Sequence, residues 1–133
     1  MKTPPVFRGR WRLVEMEMWD QDFLDLVVEA HITIDDDSLG YFQFGAVEGQ
    51  VDCRFDTNAG KPRATFSWRG EDDRHPANGR GWLTLVGDNR IEGRLFFHTG
   101  DDSSLVAMRA SAATTKRQPA RRTARQPARR RAR

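Results

Sequence analysis

Apolar and polar residues alternate with a period of two along most of this chain, and such alternation predicts β-strands with one buried and one solvated face. The clearest case is the segment 47–56, where Val, Gly, Val, Cys and Phe alternate with Glu, Gln, Asp, Arg and Asp. Turn-forming residues separate eight such segments. We predict strands at 9–18, 29–35, 40–47, 48–56, 63–70, 79–87, 90–98 and 104–111.

One segment departs from this alternation. Residues 19–27, WDQDFLDLV, place their apolar side chains at helical spacing, and Asp20 or Asp22 can serve as the N-cap. We therefore predict one short helix after the first strand.

Eight hairpin-linked strands in an open sheet would leave two exposed edges, and closing the sheet into a barrel removes them. The predicted fold class is all-β: an eight-stranded antiparallel up-and-down barrel, formed by residues 1–112. A sandwich of two sheets is the alternative.

The first strand contains an irregularity. Glu15 and Glu17 interrupt it, because the apolar residues on either side of them differ in parity. A bulge near Val14 would keep both apolar sets, Met18 included, inside the barrel. Without a bulge, Glu15 and Glu17 would point into the lumen.

The formal net charge of +3 averages two unlike segments: residues 1–115 carry 13 basic and 19 acidic residues, whereas residues 116–133 carry nine basic and no acidic residues. The segment 113–133 is rich in Arg, Pro and Ala and lacks large apolar residues, so we predict a disordered basic tail. Its cations would bind a phosphate backbone without reading base sequence, or the acidic surface of the barrel itself. They are Lys116, Arg117, Arg121, Arg122, Arg125, Arg129, Arg130, Arg131 and Arg133.

Cys53 is the single cysteine and lies at an inward position of the alternating pattern, which predicts a buried, unreactive thiol. The first residues lack the apolar run of a signal peptide, and no stretch of 18 apolar residues occurs. We therefore expect a cytoplasmic location and no membrane association.

The segment FRGRW at 7–11 resembles the opening of the calycin group, which comprises lipocalins, fatty-acid-binding proteins and avidins. In that group a Gly-x-Trp element begins the first strand, and its Trp closes one end of the barrel beneath an Arg from the last strand. The resemblance implies that Gly9 and Trp11 form this element, with Arg109 stacked on the indole. The segments WRLVEMEMWD, GRGW and FFHTGDDS are also similar to a group of small, mainly uncharacterised bacterial proteins, a likeness that implies no activity.

Successive loops of an up-and-down barrel alternate between its two ends, so four of the seven connections share the end away from Trp11. This end gathers carboxylates and two imidazoles, and we expect it to be the open mouth of a binding site. The predicted ligand-binding residues are Trp19, Asp20, Glu71, Asp72, His75, His98, Asp101 and Asp102.

No established metal-ligand spacing or catalytic motif occurs in the sequence, so we predict no metal site, cofactor or catalytic residue. His31 is expected on the outer face beside Thr33, and the aromatic residues Phe66, Trp68 and Trp82 are expected in the core.

The leading hypothesis is a non-catalytic barrel that binds a small ligand or a protein partner at its acidic end. A nucleic-acid-associated protein acting through the tail is the second. A metal-dependent or hydrolytic enzyme, with His98 paired to Asp101, Asp102 or Glu71, is the third.

Overall fold

Eight antiparallel strands follow one another in chain order and close into a barrel in the computed structural model, which describes residues 2–110. The first and last strands pair with each other, which confirms the predicted barrel and excludes the sandwich. The strands are β1 (Gly9–Met16), β2 (His31–Ile34), β3 (Leu39–Phe44), β4 (Val47–Asn58), β5 (Lys61–Asp72), β6 (His75–Leu85), β7 (Arg90–Phe97) and β8 (Asp102–Arg109).

The predicted helix after the first strand is present as α1 (Gln21–Leu24), four residues long. Asp20 is its N-cap, and its carboxylate accepts the backbone N–H of Phe23 at 3.0 Å. The helix is shorter than predicted because Asp25 ends it and accepts the backbone N–H of Ala30 at 2.8 Å, which turns the chain towards β2. No helix in the described part of the chain has the length and apolar character needed to cross a bilayer.

The β5–β6 connection differs from the sequence prediction. An eight-residue connection, 71–78, was expected there, but the strands continue to a two-residue turn in which Asp73 and Arg74 have φ values of 54° and 72°. Two left-handed residues match the twist of the flanking strands, so they can close a tight hairpin. Glu71 and Asp72 consequently end β5, and His75 begins β6.

The predicted bulge in the first strand is confirmed. The register of β1 against β8 shifts by one residue between Leu13 and Glu15, so that Val14 is the additional residue. Leu13 and Met16 are buried on the same side, while Glu15 faces solvent. The expectation that Met18 lies inside is wrong: β1 ends at Met16, and Met18 is 45% exposed.

Aromatic side chains fill the interior. The ring of Phe42 lies 5.8 Å from that of Phe44 and 5.1 Å from that of Trp68, whose ring lies 5.2 Å from Phe97. Gly49 makes room for this packing, because a Cβ there would lie 2.7 Å from both Phe42 and Trp68. The lumen is therefore occupied by the protein's own side chains.

Two titratable side chains are buried in this barrel. Cys53 is completely buried, as predicted, and burial raises the pKa of its thiol to about 12. His31 lies on the outer face and its Nδ1 is 3.1 Å from Thr33 Oγ1, also as predicted, yet it is only 4% exposed. Burial, aided by the positive charge of Arg10, lowers the pKa of His31 to about 4.

Candidate binding surfaces

The end of the barrel that contains Trp11 is closed by the contact that the calycin resemblance implies. The guanidinium carbon of Arg109 lies 4.2 Å from the centre of the Trp11 ring. The same guanidinium donates to the backbone oxygens of Val6 at 2.7 Å and Arg8 at 2.9 Å. Gly9 has φ +108°, and a Cβ there would lie 3.7 Å from the Arg109 guanidinium. Arg109 thus joins the residues before β1 to β8 across this end.

The opposite end is covered by Trp19. Its ring lies 5.0 Å from Phe44, 5.9 Å from Phe23 in α1 and 6.2 Å from Phe97. These rings continue the aromatic column of the interior up to the surface. Trp19 therefore lies across this end of the barrel instead of lining an entrance to the lumen.

Two of the carboxylates predicted at this end already have partners within the protein. Asp20 caps α1, and Asp102 lies in β8 with Oδ2 2.7 Å from Nε of Arg94. Arg94 also donates to Glu17 at 2.8 Å, so the three side chains form an ion-pair network on the outer wall. We expected Asp102 in a loop, because an Asp-Asp-Ser run is typical of a turn.

The remaining predicted residues lie on two neighbouring hairpins. Glu71, Asp72 and His75 flank the β5–β6 turn, whereas His98 and Asp101 belong to the β7–β8 turn. The backbone N–H of His98 donates to a carbonyl of β6 at 2.7 Å and so joins the hairpins. Within residues 2–110, however, no three His, Cys, Asp or Glu side chains are grouped so that they could hold a metal ion.

The two ends differ strongly in charge. At the Trp19 end the connections and the strand residues next to them carry eleven acidic residues and one basic residue, over residues 17–29, 45–48, 71–75 and 98–102. The opposite end carries five basic and four acidic residues, over residues 2–8, 35–38, 58–61, 86–90 and 109–110. The barrel therefore has an acidic end and a nearly neutral end.

The acidic end also exposes apolar side chains, which the sequence prediction missed. Leu26, Val27 and Val28 follow α1 and are 44%, 61% and 38% exposed, and Met18 nearby in sequence is 45% exposed. We call Leu26, Val27 and Val28 the apolar patch. Helical spacing favoured burial of Leu26 and Val27, but α1 ends before it reaches them.

A second surface feature is a groove of about 460 Å³ on the outer wall of the barrel. It includes Trp82, whose predicted place in the core is wrong: Trp82 faces outward and is 37% exposed, whereas Phe66 and Trp68 are buried as predicted. The groove is lined by Asp52, Arg54, Thr65, Phe66, Ser67, Arg80, Gly81, Trp82 and Phe96.

Taken together, the fold and its surfaces define a closed up-and-down β-barrel with both ends covered and its candidate binding surfaces on the outside. Searches with this chain found no matching protein-family model, no matching curated protein and no matching solved structure. The nine predicted tail cations from Lys116 to Arg133 lie outside the described residues, as does the predicted domain boundary between residues 112 and 113.

Proposed function

We propose that this protein is a non-catalytic binding barrel that docks a basic and apolar segment of a partner protein on the apolar patch. The observation that supports this most strongly is the exposure of three successive large apolar side chains at the acidic end. The calycin resemblance, supported by strand order and by the Arg109–Trp11 contact, fits a binding barrel.

The filled interior favours a partner over a small molecule. A lumenal ligand would have to displace Phe42, Phe44 or Trp68, which are at most 3% exposed. Emptying or opening such a core costs several kcal/mol, of the order of 3–5 kcal/mol for one large aromatic residue. A ligand that binds outside incurs no such cost.

The apolar side chains of the patch and the carboxylates of the acidic end can both contribute to binding. Covering side chains that are about half exposed, such as Leu26 and Val27, would contribute roughly 1 kcal/mol each. Asp25 and Glu29, which flank the patch in sequence, are paired with Arg12 at 4.0 and 3.2 Å. The other carboxylates of the acidic end would attract a basic segment, increase its association rate and make the affinity sensitive to salt. An apolar segment that carries Lys or Arg is therefore the partner of matching chemistry.

Selection from a library of random displayed peptides on the full-length protein tests this proposal. We expect enriched sequences to combine large apolar residues with Lys or Arg, and the double substitution Leu26→Ser and Val27→Ser to weaken their binding at least tenfold. The matched control is Leu39→Ser, because Leu39 is 49% exposed at the opposite end. Equal loss in both variants, or enrichment of acidic peptides, contradicts the proposal.

Measurement of the molecular mass in solution tests whether the patch binds a second copy of this chain instead of another protein. If the wild-type protein is a dimer and the Leu26→Ser and Val27→Ser variant is a monomer, the patch binds a second copy of this chain and the proposed heterologous partner is wrong.

Nucleic-acid association is a second candidate function, favoured by the nine cations and absence of acids in residues 116–133. Removal of these residues should abolish retention on double-stranded DNA at low salt. Unchanged retention would exclude the tail as the source of affinity.

A further inference from the structure

The outer-wall groove presents an aromatic face next to a cation. Trp82 and Arg80 both point outward from β6, and Arg80 pairs in register with Phe96 of β7. The guanidinium carbon of Arg80 lies 5.3 Å from the centre of the Phe96 ring. Thr65 and Ser67 lie opposite Trp82 and Arg80 on β5 and supply hydroxyl groups.

Trp82 differs from the tryptophans of the core. The indole N–H groups of Trp11 and Trp68 donate to backbone oxygens at 3.0 and 3.1 Å, and both residues are buried. Trp82 is 37% exposed, and among residues 2–110 its indole N–H donates to no protein atom. Its ring and its N–H are therefore both available to a ligand.

The cation of the groove is available as well. Arg80 lies within 4.0 Å of no carboxylate among the described residues. The other groove arginine, Arg54, forms an ion pair with Asp52 at 2.8 Å, which neutralises the one carboxylate that lines the groove. The groove thus favours a planar ligand that carries a negative charge.

We propose that this groove binds a nucleobase together with its phosphate. Trp82 stacks on the base, since every base has a π face and stacking tolerates any sequence. Arg80 donates to the phosphate, whose oxygens match the fork of a guanidinium. The ligand is a free nucleotide or a segment of single-stranded nucleic acid; a duplex is excluded because its base faces are already stacked.

This site is independent of the apolar patch. Trp82 belongs to β6, whereas the patch lies between α1 and β2, at one end of the barrel. Substitutions in the groove should leave the binding of peptides at the patch unchanged, so the two proposals can fail separately.

Fluorescence anisotropy with a labelled twelve-nucleotide oligo(dT), and calorimetry with AMP, test the proposal on the full-length protein. We expect Trp82→Ala to weaken binding by about 5- to 150-fold, the range found when a stacking aromatic residue is removed. Arg80→Gln should weaken binding and reduce the slope of log affinity against log salt by about 0.7 for the oligonucleotide.

The matched controls are Tyr41→Ala, which removes an aromatic residue that is 49% exposed on another strand, and Lys61→Gln, which removes an exposed cation at the β4–β5 turn. Both should bind as the wild-type protein does. If Trp82→Ala does not fold, Trp82→Leu replaces it, because Leu keeps apolar volume but has no aromatic face. We expect Trp82→Leu to bind the probes with the weakened affinity predicted for Trp82→Ala.

The two probes identify the source of the ligand. Oligonucleotide binding that is tighter than AMP binding and is weakened by Trp82→Ala indicates that the groove binds single-stranded nucleic acid. Saturable AMP binding with no tighter oligonucleotide binding indicates a free nucleotide. If Trp82→Ala and Arg80→Gln bind both probes as tightly as the control variants do, the proposal is overturned, because binding would then not involve the groove.

Discussion

Lowering the pH from 7 to 4.5 should destabilise the barrel through His31. This imidazole is 4% exposed, its ring lies 5.0 Å from that of Tyr41, and its Nδ1 lies 3.1 Å from Thr33 Oγ1. Burial and, secondarily, the charge of Arg10 lower its pKa from 6.5 to about 4. The folded protein therefore keeps His31 neutral at a pH at which the unfolded chain binds a proton.

The sign and size of the effect follow from this difference in pKa. Between pH 6.5 and pH 4 the unfolded state binds more protons at His31 than the folded state, so stability falls as the pH falls. One pKa unit corresponds to about 1.4 kcal/mol, so the full effect below both values is about 3 kcal/mol. At pH 4.5 most of it, roughly 2–3 kcal/mol, should already be lost.

Urea unfolding of the full-length protein at pH 7 and pH 4.5 measures this contribution. The same carboxylates titrate in this range in the wild-type protein and in His31→Gln, so their effect on stability cancels when the two proteins are compared. We expect the wild-type protein to lose about 2 kcal/mol more than His31→Gln between the two pH values. The exposed His75, changed to Gln, is the control and should keep the wild-type dependence. Equal losses in the wild-type protein and His31→Gln would show that His31 does not cause the loss of stability.

Three further predictions concern the core and the ends. At pH 8 a thiol with a pKa of about 12 is ionised in about one molecule in ten thousand. As the urea concentration rises, the fraction of Cys53 that is alkylated should therefore match the fraction of protein that is unfolded, and should not exceed it. Arg109→Gln should cost about 2 kcal/mol in urea unfolding, and Arg109→Lys should not restore it, because the guanidinium both stacks on Trp11 and donates to two carbonyls. Gly49→Ala should lower the free energy of unfolding by about 1–3 kcal/mol through overpacking. Gly87→Ala should be nearly neutral, because a Cβ there meets no atom within 4 Å. Equal stability of these two variants would show that the interior has room for an additional methyl group.

The sequence predicted the barrel because most buried strand positions carry an apolar residue or glycine at a period of two. It also predicted the bulge at Val14, since a change of parity within one strand has few other solutions. The β5–β6 turn could not be predicted in the same way. Asp73 and Arg74 both adopt left-handed φ values, and Arg74 occupies the position at which such turns usually have glycine, so the pair does not mark a two-residue turn.

The candidate surfaces were harder to predict than the fold. Exposure of Leu26 and Val27 depends on α1 ending after four residues, which results from the hydrogen bond between Asp25 and Ala30. The outward direction of Trp82, by contrast, is visible in the sequence: it shares its parity with polar neighbours at 80 and 84, while Gly, Gly and Leu occupy the inward positions 79, 81 and 83.

We propose that this barrel binds its partner outside, at the acidic end, and not in its lumen. Two-dimensional ¹H–¹⁵N NMR of the full-length protein during titration with a selected basic, apolar peptide tests it most directly. We expect saturable shifts of the amides in residues 18–29, with those of Phe42, Cys53 and Trp68 unchanged. Shifts concentrated on the interior strand positions, or at the Trp11 end, would contradict it.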